Sequence, residues 1–124
     1  MSGSSRKSQI GAWGENAATQ FLLGKGYVVI TKNYRVRGGE LDIVAAQGTA
    51  LVIVVVKTRT TKYYGYPEDG VTFFKRQRIV CATHALLAQT EKRYEEIRFD
   101  IIAIHIDICN KRSTLTHIKD FFTL

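Results

Sequence analysis

The chain has 124 residues, of which 45% are hydrophobic, a length and composition that suit one domain and are too short for two. The formal net charge of +7 favours a polyanionic partner, because each Lys or Arg placed on a phosphate releases condensed counterions. The two cysteines lie outside any CxxC pair, which argues against a disulfide framework, and no apolar run reaches the roughly 20 residues of a membrane span. We therefore expect a cytoplasmic protein without a membrane partner.

The N-terminal part predicts an arm and a helix. Residues 1–9 are polar and basic, so we expect a disordered arm there and a single domain over residues 10–124. A first helix is predicted over residues 10–25. Its apolar face consists of five residues at helical spacing: Ile10, Trp13, Ala17, Ala18 and Phe21. Gly11 and Gly14 each disfavour a helix by about 1 kcal/mol relative to Ala, so we interpret them as points where another segment approaches closely.

Three strands are predicted next, over residues 27–34, 40–47 and 50–58. A basic turn from Arg35 to Gly39 joins the first two strands. The tight turn at residues 47–49 predicts that the second and third strands form a hairpin. The third strand is apolar on both alternating faces, which is typical of the centre of a sheet.

The remaining elements complete an α/β domain. A polar loop over residues 59–71 is followed by a helix over 73–89, which Thr72 can cap. Two more strands are predicted over 97–107 and 113–122. The order αβββαββ predicts a mixed sheet with helices on both faces.

Charged residues fall at the predicted hairpin's open end. Because alternate residues share a face of a strand, Glu40 and Asp42 point the same way on the second strand, as do Val55, Lys57 and Arg59 on the third. The hairpin then brings both carboxylates near Lys57. This group is either an ion pair of Asp42 with Lys57 or a site for a hard cation such as Mg²⁺.

The second helix adds cations to this end of the sheet. Its predicted inner face contains five residues: Phe74, Cys81, Ala82, Ala85 and Leu86. Lys75 and Arg78 fall on the same face, where they either clamp a phosphate or extend their charged groups past the end of the core. A second apolar stripe, Val80 and Leu87, suits a homodimer seam.

Two further features leave alternatives open. Arg59 and Lys62 alternate with tyrosines at 63, 64 and 66, a composition that can follow a nucleic-acid backbone and stack bases, or simply be a solvated loop. Glu15, on the flank of the first helix, is either an exposed acid or a further metal ligand. Arg98 and Asp100 share a face of the fourth strand and are expected to pair with each other or with the clamp residues Lys75 and Arg78.

Seven short motifs follow one another in a specific order: Gly11-x-x-Gly14-Glu15-x-x-Ala18, Gly26-Tyr27, Asn33-Tyr34-Arg35, Gly39-Glu40-Leu41-Asp42, Val56-Lys57-Thr58-Arg59, Lys75-x-x-Arg78-Ile79-x-x-Ala82 and Arg98-Phe99-Asp100. With these motifs the chain resembles the YraN-type family of small bacterial proteins. That family belongs to the PD-(D/E)xK nuclease-like superfamily and is related to archaeal Holliday-junction resolvases. The resemblance implies a restriction-endonuclease-like fold.

The resemblance also implies roles for individual residues. Asp42 is expected to bind the metal, Lys57 to position the attacking water, and Glu15 to assist the metal. The family's glutamate two residues before the lysine is replaced here by Val55, which can neither bind a cation nor accept a proton. Glu40 is our candidate for a relocated acid. Loss of a residue that supports a metal ligand costs roughly 10–100-fold in affinity or activity, and loss of a carboxylate ligand itself should cost at least as much. The Mg²⁺ or Mn²⁺ site that the resemblance implies is therefore expected to be weakened or inactive.

Three functional hypotheses follow. The first is a nucleic-acid-binding domain, with DNA as the favoured partner, in which catalysis is impaired or absent. The second is an active Mg²⁺-dependent endonuclease acting on branched or structured DNA, and the third is a protein-interaction module that retains only the fold. In the first two, six cations are expected to contact nucleic acid: Arg35, Arg37, Arg59, Lys62, Lys75 and Arg78.

Overall fold

A computed structural model describes residues 6–60 and 66–124, with side chains from residue 9 onward. Two α-helices and five strands follow one another in these residues. Their bounds are α1 (Arg6–Gly24), β1 (Val28–Val36), β2 (Gly39–Gln47), β3 (Ala50–Arg59), α2 (Phe73–Gln89), β4 (Glu96–Asp107) and β5 (Arg112–Phe122). The predicted order αβββαββ is confirmed. A short 3₁₀ turn over Pro67–Gly70 precedes α2.

The strands form one mixed sheet in the order β1-β2-β3-β4-β5. Neighbours are antiparallel except β3 and β4, which are parallel and are connected through α2. A parallel pair needs a long crossover of this kind, whereas the predicted hairpin of β2 and β3 needs only its short turn. The run from Ala50 to Val55 is fully buried, as the apolar pattern on both of its faces predicts.

The two helices cover opposite faces of the sheet. On one face, Ala18 and Leu22 of α1 join a core with Ile43 and Val52. On the other face, Ile79 and Ala82 of α2 join a core with strand residues that include Val44 and Ile53. We call these the α1-side core and the α2-side core. Each strand at the centre contributes to both, so the prediction of helices on both faces is confirmed.

The predicted inner face of α1 is wrong in part. Trp13 is 46% exposed, whereas Ala18 and Leu22 are completely buried. The helix approaches β3 through Gly14, where an added Cβ would collide with the Thr58 side chain. The large indole of Trp13 cannot fit into so close a contact. The spacing of hydrophobic residues alone therefore predicted the wrong side of α1 as the buried side. Gly14 confirms the predicted close approach, while Gly11 has no neighbour within 4 Å of such a Cβ.

The predicted inner face of α2 also needs correction. Phe74 is 71% exposed and Cys81 is exposed, whereas Ile79, Ala82 and Thr83 are buried. The Thr83 hydroxyl donates a 2.8 Å hydrogen bond to the Ile79 carbonyl, so this polar residue can be buried without an unpaired group.

The proposed dimer stripe on α2 is not a free surface. Leu87 packs against the α2-side core and Val80 is half-buried. The stripe that the helical projection placed outside is therefore partly occupied by the chain's own core, because a helix over a twisted sheet buries more than one narrow face.

The helix ends follow the sequence closely, with one difference. Thr72 caps α2 as predicted, and its hydroxyl accepts a hydrogen bond from the Lys75 amide at 3.2 Å. Gly26 ends α1 at a φ of 88°, where the Tyr27 amide donates to the Leu22 carbonyl at 3.0 Å. However, α1 begins at Arg6, so residues 6–9 of the predicted arm are helical, while residues 1–5 lie outside the described part. No helix in the described ranges is long and apolar enough to cross a bilayer.

Candidate functional site

The sheet opens at one end, between β2 and β3. Their pairing runs from Gln47 with Ala50 to Ile43 with Val54, whereas β3 stays paired with β4 as far as Arg59. The last residues of β3 therefore have a free edge on the β2 side. A cavity of about 1150 Å³ lies here, between α1, the two strands and the turn after β4. We call it the sheet-end cavity. Its charged lining residues are Glu15, Asp42, Lys57, Arg59 and Asp107.

Asp42 closes the gap left by the separating strands. Its Oδ2 accepts a 2.9 Å hydrogen bond from the Val56 amide, in the part of β3 that no longer pairs with β2. Burial raises the pKa of the Asp42 carboxyl, although the Val56 bond and the nearby Lys75 and Lys57 oppose that rise. One oxygen is thus engaged by the backbone, and the side chain lines the cavity with its charge only partly compensated.

Glu15 reaches the cavity because α1 approaches β3 so closely at Gly14. Its Oε1 accepts a 2.6 Å hydrogen bond from the Asn33 amide group. Burial raises the pKa of Glu15, the Asn33 bond lowers it, and repulsion from Asp42 raises it further. The charge of Asp42 therefore acts on Glu15, and a cation bound near both carboxylates would relieve this repulsion.

Lys57 points to the start of α2 and not to Asp42. Its Nζ donates a 3.1 Å hydrogen bond to the carbonyl of Gly70. Burial lowers the pKa of Lys57, and the neighbouring Lys75 and Arg59 lower it further. None of the ion pairs among residues 6–60 and 66–124 joins Lys57 to Asp42, so the simple ion pair considered for this site does not form.

Glu40 lies outside the cavity, although its negative charge adds to the rise in the pKa of Asp42. It pairs with Arg35 at 3.4 Å on the protein surface and does not line the cavity. Strand alternation predicted that Glu40 and Asp42 share a face, but Leu41 packs in the α2-side core and Ile43 in the α1-side core. The alternation is interrupted at this point, beside the left-handed backbone of Asn33, whose φ is 53°.

The side chain at position 55 is uncharged and almost inaccessible to solvent. Val55 is 3% exposed and packs in the α2-side core. In the two described ranges, no three His, Cys, Asp or Glu side chains come together as metal ligands. The three acids predicted as metal ligands are thus divided, with Asp42 and Glu15 at the cavity and Glu40 outside it.

The carboxylate oxygens of Asp42 and Glu15 fit a hard cation only in a site that leaves some coordination positions to water or phosphate. Asp42 and Glu15 each offer carboxylate oxygens, and one oxygen of each is already engaged by an amide. Mg²⁺ retains several waters and is commonly bound by one or two carboxylates together with substrate phosphates. Two carboxylates therefore suit Mg²⁺ or Mn²⁺ held jointly with a phosphate, and they do not build a closed protein site.

Four of the six predicted nucleic-acid contacts fall into two pairs. Arg59 lines the cavity, and Lys75 lies close enough to affect the charges of Asp42 and Lys57. Arg37 and Arg78 belong to segments in contact, because the Arg37 carbonyl lies 3.7 Å from the Cys81 sulfur and Gly39 abuts the Arg78 carbonyl.

The other two predicted contacts are Arg35 and Lys62. Arg35 is exposed beside Glu40, and Lys62 lies outside the described residues.

Two residues at the site were missed from the sequence. Asn33 holds Glu15, and Asp107 adds a third carboxylate to the cavity wall. Both oxygens of Asp107 accept hydrogen bonds from Asn110, at 3.2 Å from the backbone and 2.8 Å from the side chain, which lower the pKa of Asp107. The Asp-x-x-Asn spacing was a signal for this turn, because such side chains bond the backbone nearby.

Comparison with known proteins places the chain among relatives whose role is not described. A family model described as "Uncharacterised protein family UPF0102" matches residues 14–104, which include Glu15, Asp42, Val55 and Lys57. A UPF0102 protein of Mycolicibacterium vanbaalenii is 38% identical over 119 residues, covering 96% of this chain and 98% of the relative. One from Rhodococcus opacus is 38% identical over 113 residues (91% and 95%), and one from Dictyoglomus turgidum is 40% identical over 96 residues (77% and 81%).

Proposed function

We propose that this chain, which belongs to the UPF0102 family, binds nucleic acid at the sheet-end cavity and cleaves it weakly or not at all. Membership confirms the family resemblance seen in the motifs. The observation that carries the proposal is the composition of the cavity. Lys57 and Arg59 line it together with two mutually repelling carboxylates, while position 55 is a buried valine.

The cations suit the binding of a phosphate backbone. Burial disfavours the charged form of Lys57, and the neighbouring charges of Lys75 and Arg59 disfavour it further. An anion placed among them relieves their repulsion, so a phosphate is favoured there more than at isolated surface lysines. The net charge of +7 attracts the rest of the polymer.

The acids suit only weak catalysis. A Mg²⁺ ion bound with the phosphate would neutralise Asp42 and Glu15 and supply a Lewis acid. Lys57 is fixed by the Gly70 carbonyl, so it can orient a water or a phosphate oxygen at a defined position. Val55 offers no oxygen, and the α2-side core surrounds it, so the cavity lacks one proton acceptor and one ligand.

The first experiment measures binding. Fluorescence anisotropy of labelled DNA is followed while the salt concentration is raised. We expect log affinity to fall linearly with log salt, because bound phosphates displace counterions. The variant Lys57→Ala should bind more weakly than Lys92→Ala, which removes the same charge from the connection after α2. Affinity that does not change with salt would contradict the proposal and favour the interaction module.

The second experiment measures cleavage of branched, flapped and linear DNA with Mg²⁺ or Mn²⁺. We expect little or no product from the natural chain and a gain of cleavage in Val55→Glu. Val55→Gln is the matched control, because its amide has a similar size but cannot serve as a carboxylate ligand or base. Circular dichroism verifies folding, since a carboxylate at a buried position lowers stability unless a cation pairs with it.

An active endonuclease is the second candidate, and one observation favours it. Glu15, Asp42 and Lys57, the three residues to which the family resemblance gives catalytic roles, line the same cavity. If the natural chain cuts branched DNA and Asp42→Ala does not, these residues suffice without an acid at position 55. Glu15→Gln then tests whether the helix supplies the second carboxylate.

A further inference from the structure

A second cavity, of about 410 Å³, lies next to the sheet-end cavity. Ile10 of α1 lines both cavities. The turn between β4 and β5 also borders both, because Ile108 and Cys109 face the first cavity and Lys111 and Arg112 face the second. A polymer bound in the first cavity can therefore continue into the second one across Ile10 and this turn.

The wall of the second cavity includes the chain's single tryptophan. Trp13 is 46% exposed, although indoles are highly buried on average, and its helix turns the small Gly14 and Ala18 toward the sheet instead. Half of the indole is thus available to a ligand. The cavity also has the apolar side chains of Ile10 and Ile106 beside it.

Two consecutive cations stand at the same cavity. Lys111 and Arg112 follow the turn that Asp107 and Asn110 close, and Lys111 has a left-handed backbone with a φ of 53°. A non-glycine residue in that conformation is uncommon, and the hydrogen-bonded turn holds the backbone from which these two cations extend. An aromatic face beside cations is the arrangement with which proteins hold single-stranded nucleic acid, stacking a base and following its phosphates.

We infer that the second cavity binds an unpaired base, stacked on Trp13, with Lys111 and Arg112 on the adjoining phosphates. The inference rests on the proposed function and names its substrate class, a duplex that continues into a single strand. The duplex part lies at the sheet-end cavity and the single strand at the Trp13 cavity. The positive charge of Lys111 and Arg112 disfavours a basic partner and makes an acidic polypeptide the main competing ligand.

The single tryptophan allows a direct test, because all tryptophan emission comes from Trp13. The full chain is titrated with a blunt DNA duplex and with the same duplex carrying a single-stranded dT overhang. Both DNAs also carry a dye, so that anisotropy measures binding independently of the tryptophan. We expect the overhang substrate to bind more tightly and to quench Trp13 emission, while the blunt duplex binds without comparable quenching.

Variants then separate stacking from general binding. Trp13→Ala should lose roughly 5- to 100-fold in affinity for the overhang substrate, the fold-change that corresponds to one stacked base, and less than about 2-fold for the blunt duplex. Trp13→Phe should restore most of the preference for the overhang. The matched control is Leu23→Ala, which also removes a half-exposed apolar side chain from α1, and it should affect both DNAs equally.

The outcomes distinguish this inference from the proposed function. If both DNAs bind with equal affinity and Trp13 emission is unchanged, the inference is wrong and the proposed function stands. If neither DNA binds in the anisotropy measurement, both are wrong. Quenching by poly-glutamate as strong as that by the overhang substrate would also overturn the inference, since the cavity would then accept acidic polymers in general.

Discussion

Asp100 on β4 and Asp42 on β2 are both carboxylates of the sheet, but donors surround the first and a cavity faces the second. Asp100 is 0% exposed, and the Arg98 guanidinium donates to both of its oxygens at 2.9 Å. His117 Nε2 lies 2.8 Å from Oδ2, and the Asp120 amide donates to Oδ1 at 3.0 Å. The pKa of Arg98 is raised mainly by its hydrogen bond to Asp100.

Asp42 differs from Asp100 because few hydrogen-bond donors contact its carboxylate. It accepts from the Val56 amide, and its nearest acidic neighbours, Glu15 and Glu40, repel it. The difference shows how to separate a structural charge from a functional one. A carboxylate whose oxygens are saturated by its own chain has no capacity for a ligand, whereas one that keeps a free oxygen at a cavity can bind a cation or a proton.

The largest effect expected from this contrast is on stability. Asp100→Ala should lower the free energy of unfolding by about 3–5 kcal/mol, because it leaves the Arg98 charge buried without its partner. Asp42→Ala should cost far less, about 1 kcal/mol or below, the value of one lost hydrogen bond. Urea denaturation of the two variants checks this, and equal losses would remove the distinction between the two aspartates.

A smaller effect is expected at the contact that brings Glu15 to the cavity. Gly14→Ala should destabilise the protein by about 1–3 kcal/mol, because the new methyl group collides with Thr58. Gly11→Ala is the matched control on the same helix. It meets nothing within 4 Å and should stabilise by up to about 1 kcal/mol through helix propensity. Thermal unfolding of both variants tests the contact, and a stabilising Gly14→Ala would show that α1 does not seat on β3 there.

The smallest effect expected is a dependence of stability on pH. Burial raises the pKa of Asp42 above its ordinary value of 3.8, so the native state retains this proton to a higher pH than the unfolded state. Stability therefore falls as pH rises through the interval from 3.8 to the raised pKa, and the unfavourable contribution persists above it.

The variant Asp42→Asn isolates this contribution, because its amide oxygen still accepts the Val56 hydrogen bond. We expect this variant to be more stable than the unsubstituted chain at pH 7. The gain should be smaller than the losses expected for Asp100→Ala and Gly14→Ala. The advantage should disappear as the pH falls below 3.8. Unfolding curves at several pH values measure the difference, and a variant that is less stable at pH 7 would contradict it.

Much of the fold could be predicted from the sequence because local signals agreed. The bounds of α2 match the prediction of residues 73–89, since Thr72 caps the helix as predicted. Apolar alternation placed β2 within one residue of its observed start at Gly39. Of the two pairings expected for Arg98 and Asp100, the one with each other is confirmed, because side chains two residues apart share a face of the strand.

Other features depend on contacts that no local pattern encodes. The inward sides of α1 and α2 were misjudged at Trp13 and Phe74, because steric fit decides which residues a helix can turn toward a sheet. The interruption at Asp42 was also not predictable, since it accompanies one left-handed residue, Asn33, in the neighbouring strand. Leu41 and Ile43 pack on opposite faces of the sheet on either side of Asp42, and Glu40 pairs with Arg35 outside the cavity.

The early separation of β2 from β3 also affects how the backbone exchanges hydrogen with solvent. Beyond Val54, the amide of Val56 is bonded to a side chain and not to a neighbouring strand. Its protection against deuterium exchange should therefore depend on the Asp42 carboxylate, and a ligand that draws this carboxylate away should expose the amide. The exchange rate of this one backbone amide would then report occupancy of the cavity without any added label.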